Sequence, residues 1–186
     1  ESYPLKLRDC LATEYFAYNR NQTEYRESVF VGYRYYDAAN KDVLFPFGYG
    51  LSYTQFSYED LQLSSQEFLD TDSITVRCTV KNTGSMAGAE IIQLYVGKTA
   101  SPLFRAPKEL KGFHYNVEIK DWHVEAGEYQ IWVGASSRDL PLEATVQIAS
   151  TQPEVAVPDY RSSTPSYYCL DDPERRISKE EFEALY

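Results

Sequence analysis

The chain has 186 residues, 43% of them hydrophobic and 15% aromatic, and its 18 Lys and Arg against 28 Asp and Glu give a formal net charge of −10. Acidic chains are poor partners for nucleic acid, whose phosphates are neutralised by clustered Lys and Arg, and for anionic membrane surfaces. No apolar run approaches the roughly 20 residues that a membrane helix needs. We therefore expect neither a nucleic-acid nor a membrane partner.

The three cysteines, Cys10, Cys78 and Cys169, are odd in number and widely spaced. They form neither a disulfide framework nor the close pairs that are typical of zinc sites. We therefore expect reduced thiols and no metal or other cofactor. Reduced thiols and the lack of a visible signal peptide favour a cytoplasmic location, with secretion as the alternative.

The N-terminal third of the chain is rich in aromatic residues but has little periodicity. Residues 1–60 hold 10 of the 17 Tyr and 5 of the 9 Phe. Residues 45–50 cannot form a helix or a central strand, because Pro46 lacks an amide donor and two glycines loosen the backbone. The sequence therefore predicts that residues 1–50 form an extended wrapping segment, held by aromatic side chains rather than by strand pairing.

From about residue 52 apolar and polar residues alternate. Every even position of residues 74–81 is apolar, which is the period of a strand with one face in a core. The same alternation predicts further strands near residues 89–96, 109–113, 129–133 and 140–148. A change of phase between Tyr58 and Leu61 predicts a β-bulge near Glu59 and Asp60.

Short strands at regular spacing, with Gly and Asn turns and no amphipathic helix between them, predict an all-β fold. The spacing is typical of an antiparallel β-sandwich, here over residues 51–150. Residues 151–186 then form a Pro-rich linker. The linker ends in a capping box of Ser178 and Glu181, which predicts the start of a helix leading to a further domain.

No arrangement of residues predicts catalysis, a cofactor-binding loop or a metal site. The two histidines, His114 and His123, stand in no nucleophile or metal pattern. The aromatic block has two interpretations: rings that join this domain to a neighbour, which we favour, or a surface for stacking on sugar or binding peptide. The candidate rings for either role are Tyr33, Tyr35, Tyr36, Phe45, Phe47 and Tyr49.

Two stretches, residues 25–37 (YRESVFVGYRYYD) and 44–56 (LFPFGYGLSYTQF), closely resemble the C-terminal signature of family 3 glycoside hydrolases, the β-glucosidase-like enzymes. Four later stretches resemble the fibronectin type III-like domain of that family, namely VKNTG at 80–84, QLYV at 93–96, PKELKGF at 107–113 and VGASSRD at 133–139. The resemblance covers about residues 1–150. It implies an immunoglobulin or fibronectin type III-like sandwich, the end of a preceding α/β domain in residues 1–50, and a tyrosine corner at Tyr129.

In that family the catalytic carboxylates belong to barrel and α/β domains, and no motif of those domains is visible in this chain. The resemblance therefore implies a non-catalytic structural module, inactive alone, whose parent hydrolyses terminal β-glycosidic bonds. Its partners would be the catalytic domains of the same parent chain and the carbohydrate substrate of the parent. It would brace those domains and border the active site. The alternative is a carbohydrate-binding module that uses exposed Tyr and Phe.

Two departures from the family pattern stand out. The family usually has two more strands between the KGF and GEY motifs, whereas in this sequence residues 113–116 cross that gap almost directly. Either a hairpin is lost or residues between His114 and Tyr115 are missing, and we favour the second because losing the hairpin would expose a sheet edge. The linker and capped helix at residues 151–186 also resemble a rearranged subgroup in which the barrel domain follows this module.

Overall fold

A computed structural model of the chain describes residues 1–14, 29–101, 103, 105–110, 115–116, 121–122 and 124–154. These residues are mostly strand, with one short helix, α1 (Tyr33–Ala38), and two 3-10 turns. The strands are β1 (Tyr3–Pro4), β2 (Val43–Phe45), β3 (Phe56–Leu63), β4 (Glu67–Leu69), β5 (Val76–Asn82), β6 (Gln93–Lys98), β7 (Glu109–Leu110), β8 (Tyr115–Asn116), β9 (Asp121–Trp122), β10 (Gly127–Gly134) and β11 (Leu142–Ala149). The predicted all-β class is confirmed.

The largest sheet has five strands in the order β4-β11-β10-β6-β7. Its neighbours pair antiparallel except for β4 and β11, which run parallel. Strands β3 and β5 form a separate antiparallel pair. Strands β5, β10 and β11 lie where the alternation predicted them. Strand β6 begins at Gln93 rather than at residue 89, so Ile91 and Ile92 precede it and stay exposed.

The main core lies between the five-stranded sheet and the β3-β5 pair. Its buried members Phe68, Tyr129, Ile131 and Val146 come from the larger sheet. The partly buried side chains packed against them come from both sheets and their loops, namely Leu63, Ile74, Val76, Leu94, Val96, Val124 and Ile148. Alternation along each strand places these apolar residues on one face, which we call the inner face of the five-stranded sheet.

The bulge predicted near Glu59 and Asp60 is confirmed. The register of β3 against β5 shifts between Glu59 and Gln62. Asp60 has a φ of 56°, in the left-handed region that is uncommon for residues other than glycine. The extra residue lets β3 present apolar side chains to the core on both sides of the bulge.

The N-terminal residues are less extended than predicted. Strand β1 pairs with β2, with Tyr3 opposite Phe45, so strand pairing helps to hold residues 1–50. Residues 33–38 form helix α1, which buries Tyr35 and Tyr36. A six-residue helix covers fewer than two turns. Its apolar periodicity is therefore too short to distinguish it from a loop.

The stretch after the KGF motif contains a strand pair that the sequence did not predict. Strand β8 pairs antiparallel with β9, with Tyr115 opposite Trp122. The chain therefore does not cross this gap directly. Two predictions lie outside the described residues: the surroundings of His114 and His123, and the linker and capped helix from residue 155 onward.

Candidate functional site

The second face of the five-stranded sheet, which we call the outer face, is covered by residues 29–50, the aromatic segment. Tyr95 on β6 points to this face and is 0% exposed. The ring of Tyr33 meets the ring of Tyr95 edge-on, with centroids 5.5 Å apart, and the ring of Phe47 lies 5.3 Å from that of Tyr33. Edge-to-face contacts of this kind add to the free energy gained by burial. Three rings therefore fix the aromatic segment to the sheet.

Hydrogen bonds also position the aromatic segment on the five-stranded sheet. The hydroxyl of Tyr95 donates to Oε1 of Gln93, and Nε2 of Gln93 donates to the carbonyl of Ala135. The backbone amide of Ser137 donates to the carbonyl of Phe47 over 2.8 Å. Gln93 and Ser137 are buried, so these bonds satisfy polar groups that would otherwise cost free energy.

Gly48 permits the close approach of the aromatic segment to the sheet. Its φ is 86°, and a Cβ added there would lie 1.8 Å from Nε2 of Gln93. Any larger residue would therefore clash and would adopt an unfavourable backbone conformation. This glycine explains why the FPFGYG stretch combines a turn with tight packing.

Burial raises the pKa of the tyrosines in this layer. Burial, with smaller contributions from Tyr33 and Asp37, raises the pKa of Tyr95 well above its usual range. Burial, with Cys10, Tyr35 and Asp9 as lesser causes, raises the pKa of Tyr36 to about 12. These phenols therefore stay neutral at physiological pH and act as hydrogen-bonding apolar groups.

A cluster of charges joins α1 to two loops of the larger sheet. The Nζ atom of Lys108 lies 2.9 Å from Oδ2 of Asp37 as an ion pair without hydrogen-bond geometry. Nε of Arg138 donates to Oδ1 of Asp37 over 3.0 Å, and its Nη2 donates to the carbonyls of Tyr36 and Lys41. The Asp37 side chain is only 7% exposed, so its charge needs these two cations.

Glu125 is the centre of a second charged contact. Its carboxylate accepts hydrogen bonds from Nη1 of Arg105 over 3.0 Å and from the hydroxyl of Ser101. Its backbone carbonyl accepts a hydrogen bond of 2.7 Å from the hydroxyl of Tyr129. A tyrosine that bonds the backbone a few residues upstream at the start of a strand has the arrangement known as a tyrosine corner. Burial raises the pKa of Tyr129 to about 12, although Arg105 lowers it in part.

The six candidate rings fall into three groups. Tyr35 and Tyr36 are 3% and 6% exposed and pack with Phe30 and Ala106 in a core cluster of this chain, so they are not available to another domain or to a sugar. Tyr33 and Phe47 are half-buried in the contact with Tyr95. Phe45 and Tyr49 are 37% and 52% exposed, with their centroids 5.0 Å apart.

Apolar side chains are exposed on two loops that touch each other. Leu51 and Tyr53 are 83% and 91% exposed, and Met86 is 56% exposed. The loops are joined by a hydrogen bond from the Thr54 hydroxyl to Oδ1 of Asn82, and Gly84 packs against Thr54. We call Leu51, Tyr53 and Met86 the apolar loop patch. Exposed apolar side chains on adjoining loops are typical of a contact surface.

An open cleft of about 560 Å³ lies between the aromatic segment and the outer face of β10 and β11. Its wall contains Asp37, Asn40, Pro107, Lys108, Trp132, Ser137, Arg138, Leu140 and Glu143. Sequence reasoning did not find this cleft. One signal was available, because Trp132 alternates with the core residues Ile131 and Val133 and must therefore face the other side of the sheet.

Two other classes of site are absent from the described residues. Among those ranges, no group of three or more His, Cys, Asp and Glu side chains is placed to hold a metal ion. In the same part of the chain, no helix is both long and apolar enough to cross a membrane. Cys10 and Cys78 are free thiols, while Cys169 lies outside the described ranges.

Comparison with known proteins identifies the relatives of the chain. No protein-family model matches it. The thermostable β-glucosidase B of Acetivibrio thermocellus is 42% identical over 174 residues, which are 81% of this chain and 23% of the relative. The β-glucosidase BoGH3A of Bacteroides ovatus is 37% identical over 75% of this chain and 22% of its own length. The homologues of the chain include β-glucosidases of glycoside hydrolase family 3, and an exo-α-(1→6)-L-arabinopyranosidase of Bifidobacterium breve is 35% identical over 82% of this chain.

Solved structures agree with this relationship. The crystal structure of the GH3 β-glucosidase of Bifidobacterium adolescentis matches 94% of this chain and 28% of its own, with a TM-score of 0.75 and 29% identity. Thermotoga neapolitana β-glucosidase 3B in complex with glucose matches 78% of this chain and 23% of its own, with a TM-score of 0.68 and 32% identity. The chain thus spans less than a third of the length of these homologues.

Proposed function

We propose that this chain is a non-catalytic structural module of a β-glucosidase-type family 3 glycoside hydrolase. In this proposal the five-stranded sheet and the β3-β5 pair are the two sheets of a fibronectin type III-like sandwich. The shared core between them and the hydrogen bond from Tyr129 to Glu125 support that assignment. The module braces the catalytic domains of its parent chain and borders their active site, and the parent hydrolyses terminal β-glycosidic bonds.

The apolar loop patch carries the bracing role. A side chain as exposed as Tyr53, at 91%, gains about 1.5–3 kcal/mol when it is fully buried against a partner. Homologues that are several times longer than their match to this chain supply the kind of partner that such a patch fits, namely the other domains of one polypeptide. The same reasoning extends to Leu51 and Met86.

The state of the carboxylates supports the absence of catalysis in this segment. A glycosidase needs two carboxyl groups that flank the scissile bond with separate protonation roles. Asp37 is committed to Lys108 and Arg138, and Glu125 is committed to Arg105 and is 4% exposed. Both carboxylates are thus held by cations of this chain, and in this proposal the catalytic pair belongs to other domains.

A chimera tests the bracing role. The matching segment of the Acetivibrio thermocellus β-glucosidase B is replaced by this chain, and Leu51→Ser with Tyr53→Ser is introduced into the chimera. We expect a clearly lower thermal midpoint, because about 3 kcal/mol or more of burial is lost, with KM for an aryl β-glucoside unchanged. An unaltered thermal midpoint would contradict the bracing role.

The matched control is Leu69→Ser, which replaces a 47% exposed apolar residue on edge strand β4, away from the apolar loop patch. We expect this variant to leave the chimera unchanged. The 186-residue chain alone is assayed on the same aryl β-glucoside in parallel. Turnover by the chain alone, above that of a mock preparation from cells that lack the chain, would contradict the inactivity of this segment.

A carbohydrate-binding role is the second candidate, and one observation favours it. Phe45 and Tyr49 are exposed next to each other, and adjacent rings can stack on the flat faces of pyranoses. Polysaccharide pull-down tests this role. Retention of the chain that disappears in Phe45→Ala with Tyr49→Ala would favour it over bracing, whereas retention that persists in this variant would count against these rings.

A further inference from the structure

We propose that the cleft beside Trp132 is a binding site for a short neutral oligosaccharide, separate from the exposed rings of Phe45 and Tyr49. This inference rests on the geometry of the cleft and not on the bracing role. The volume of about 560 Å³ lies within the range of roughly 300–1,000 Å³ that is usual for small-molecule sites.

Trp132 supplies a flat apolar wall that the backbone holds in place. The residue lies on the outer face of β10, opposite Glu143 of β11. A Cβ added to Gly97 of β6 would lie 3.0 Å from Cζ3 of the indole, so the ring sits directly over this glycine. A half-buried indole with a fixed orientation can stack on the C–H face of a pyranose at little cost in entropy.

Two cations around the cleft are already positioned to donate hydrogen bonds. Asp37 holds Lys108 and Arg138 in place through the ion pairs described above. Nη1 of Arg138 makes no hydrogen bond to any residue that the structure describes, and the ammonium of Lys108 has three donors for the one carboxylate it faces. Donors that are preorganised in this way lose little entropy when a ligand binds.

Two further polar side chains complete the lining. The side-chain amide of Asn40 and the carboxylate of Glu143 make no hydrogen bonds within the described ranges, and both residues line the cleft. Asn40 stands at the end of α1 with a φ of 48°, a left-handed conformation that Asn tolerates better than most residues. The cleft thus offers donors and acceptors on the walls around one aromatic platform.

The charges of the cleft select the class of ligand. Lys108 and Arg138 are balanced by Asp37 and Glu143, so the formal charge of the lining is 2 − 2 = 0. A neutral cleft has no net attraction for a phosphate, a uronate or a cationic ligand. One aromatic wall surrounded by mixed donors and acceptors, with no net charge, fits a neutral polyhydroxylated ring.

Fluorescence of Trp132 is the direct readout. Trp122 is the other tryptophan of the chain, so Trp122→Phe leaves Trp132 as the single reporter. The full 186-residue chain is titrated with cellotriose, maltotriose and a trimer of galacturonic acid up to about 10 mM, a range that covers the weak affinities expected of one shallow site. We expect a saturable change with at least one neutral trimer and no tighter binding of the acidic trimer.

Variants then assign the binding to the cleft, with affinities measured by amide chemical shifts in the Trp122→Phe background. We expect Trp132→Ala to weaken binding at least tenfold, and Asn40→Ala or Glu143→Gln to weaken it about threefold to tenfold. Tyr53→Ala, which removes an exposed ring elsewhere, is the matched control and should change nothing. Trp132→Phe keeps a packed ring and should retain partial binding if Trp132→Ala is poorly folded.

Three results would overturn the inference: no saturable change with either neutral trimer, binding that is equal in the Trp132→Ala and Trp132→Phe variants and the parent chain, or tighter binding of the acidic trimer. None of these results bears on the chimera, because that experiment changes the apolar loop patch and leaves the cleft intact. Failure of this inference is therefore distinguishable from failure of the proposed function.

Discussion

The inner and outer faces of the five-stranded sheet are both buried at β6, but by different chemistry. On the inner face Leu94 and Val96 pack with Ile131 and Val146 in an apolar core that also contains Phe68 and Tyr129. On the outer face Tyr95 is covered by rings and held by polar contacts. The inner face is thus stabilised mainly by non-directional burial, and the outer face by contacts that depend on angles and charges.

This difference in chemistry explains why substitutions on the two faces should lower stability in different ways. An apolar core loses free energy of folding in proportion to the side-chain volume removed. A layer of paired charges and hydrogen-bonded tyrosines instead loses free energy when one partner is left unsatisfied. Substitutions on one face at a time therefore separate the two contributions to stability.

The largest effect is expected on the inner face. Ile131 is 1% exposed, and Ile131→Ala should lower the free energy of unfolding by about 2–5 kcal/mol because it leaves a cavity between the two sheets. Urea unfolding of the full chain measures this change. The matched control Ile91→Ala, at a residue that is 76% exposed, should shift stability by less than about 0.5 kcal/mol. Equal effects of the two variants would contradict a core at Ile131.

An intermediate effect is expected on the outer face. Asp37→Asn removes the carboxylate that pairs with Lys108 and Arg138 and should cost about 1–3 kcal/mol, since hydrogen bonds to charged groups are worth that much. Hydrogen exchange should accelerate at the amides of α1 more than at those of β10. Asp42→Asn, at an exposed neighbouring residue, is the control. Equal acceleration of hydrogen exchange in α1 and β10 would show that the aromatic segment and the sheet unfold together.

High pH is expected to have a smaller effect on stability, through tyrosines on both faces of the sheet. The pKa of Tyr129 on the inner face and of Tyr36 within the aromatic segment is raised from the usual 10 to about 12 in the folded chain. The unfolded chain therefore releases these protons first, so stability is full below about pH 10 and is lost progressively as pH rises toward 12. Urea unfolding at intervals across this window measures the loss.

Tyr129→Phe separates the contribution of the inner face to this pH dependence. The variant lacks one titrating hydroxyl, so its stability should fall less steeply with rising pH than that of the parent chain. It should also be less stable at neutral pH, because the carbonyl of Glu125 loses its partner. An unchanged slope would mean that Tyr129 is already ionised or exposed before the chain unfolds.

Sequence reasoning predicted the inner face well and the outer face poorly. Alternation located β5, β10 and β11, and a change of phase located the bulge at Glu59 and Asp60. Helix α1 was missed, and Tyr35 and Tyr36 were assigned to a surface although they are buried. The reason is that two segments far apart in the chain can bury each other's side chains without a regular spacing of apolar residues in either segment.

The candidate sites show the same division. The motifs between residues 25 and 139 predicted the enzyme family of the homologues. Long matches in residue type can be recognised without knowing which residues are in contact. The Trp132 cleft was not predicted, because its walls come from α1, the loop at Pro107 and strands β10 and β11. Residues so distant along the chain meet only when the sheet and the aromatic segment have packed.

The sequence by itself determined the all-β class, the strand periodicity and the relationship to family 3 β-glucosidases, since each of these is written in local residue patterns. Only the tertiary structure decided which rings are buried, which charges pair with Asp37 and where the cleft opens. Those features depend on the placement of residues 29–50 on the outer face of the sheet. That placement is set by long-range contacts such as Tyr33 against Tyr95, which local patterns do not encode.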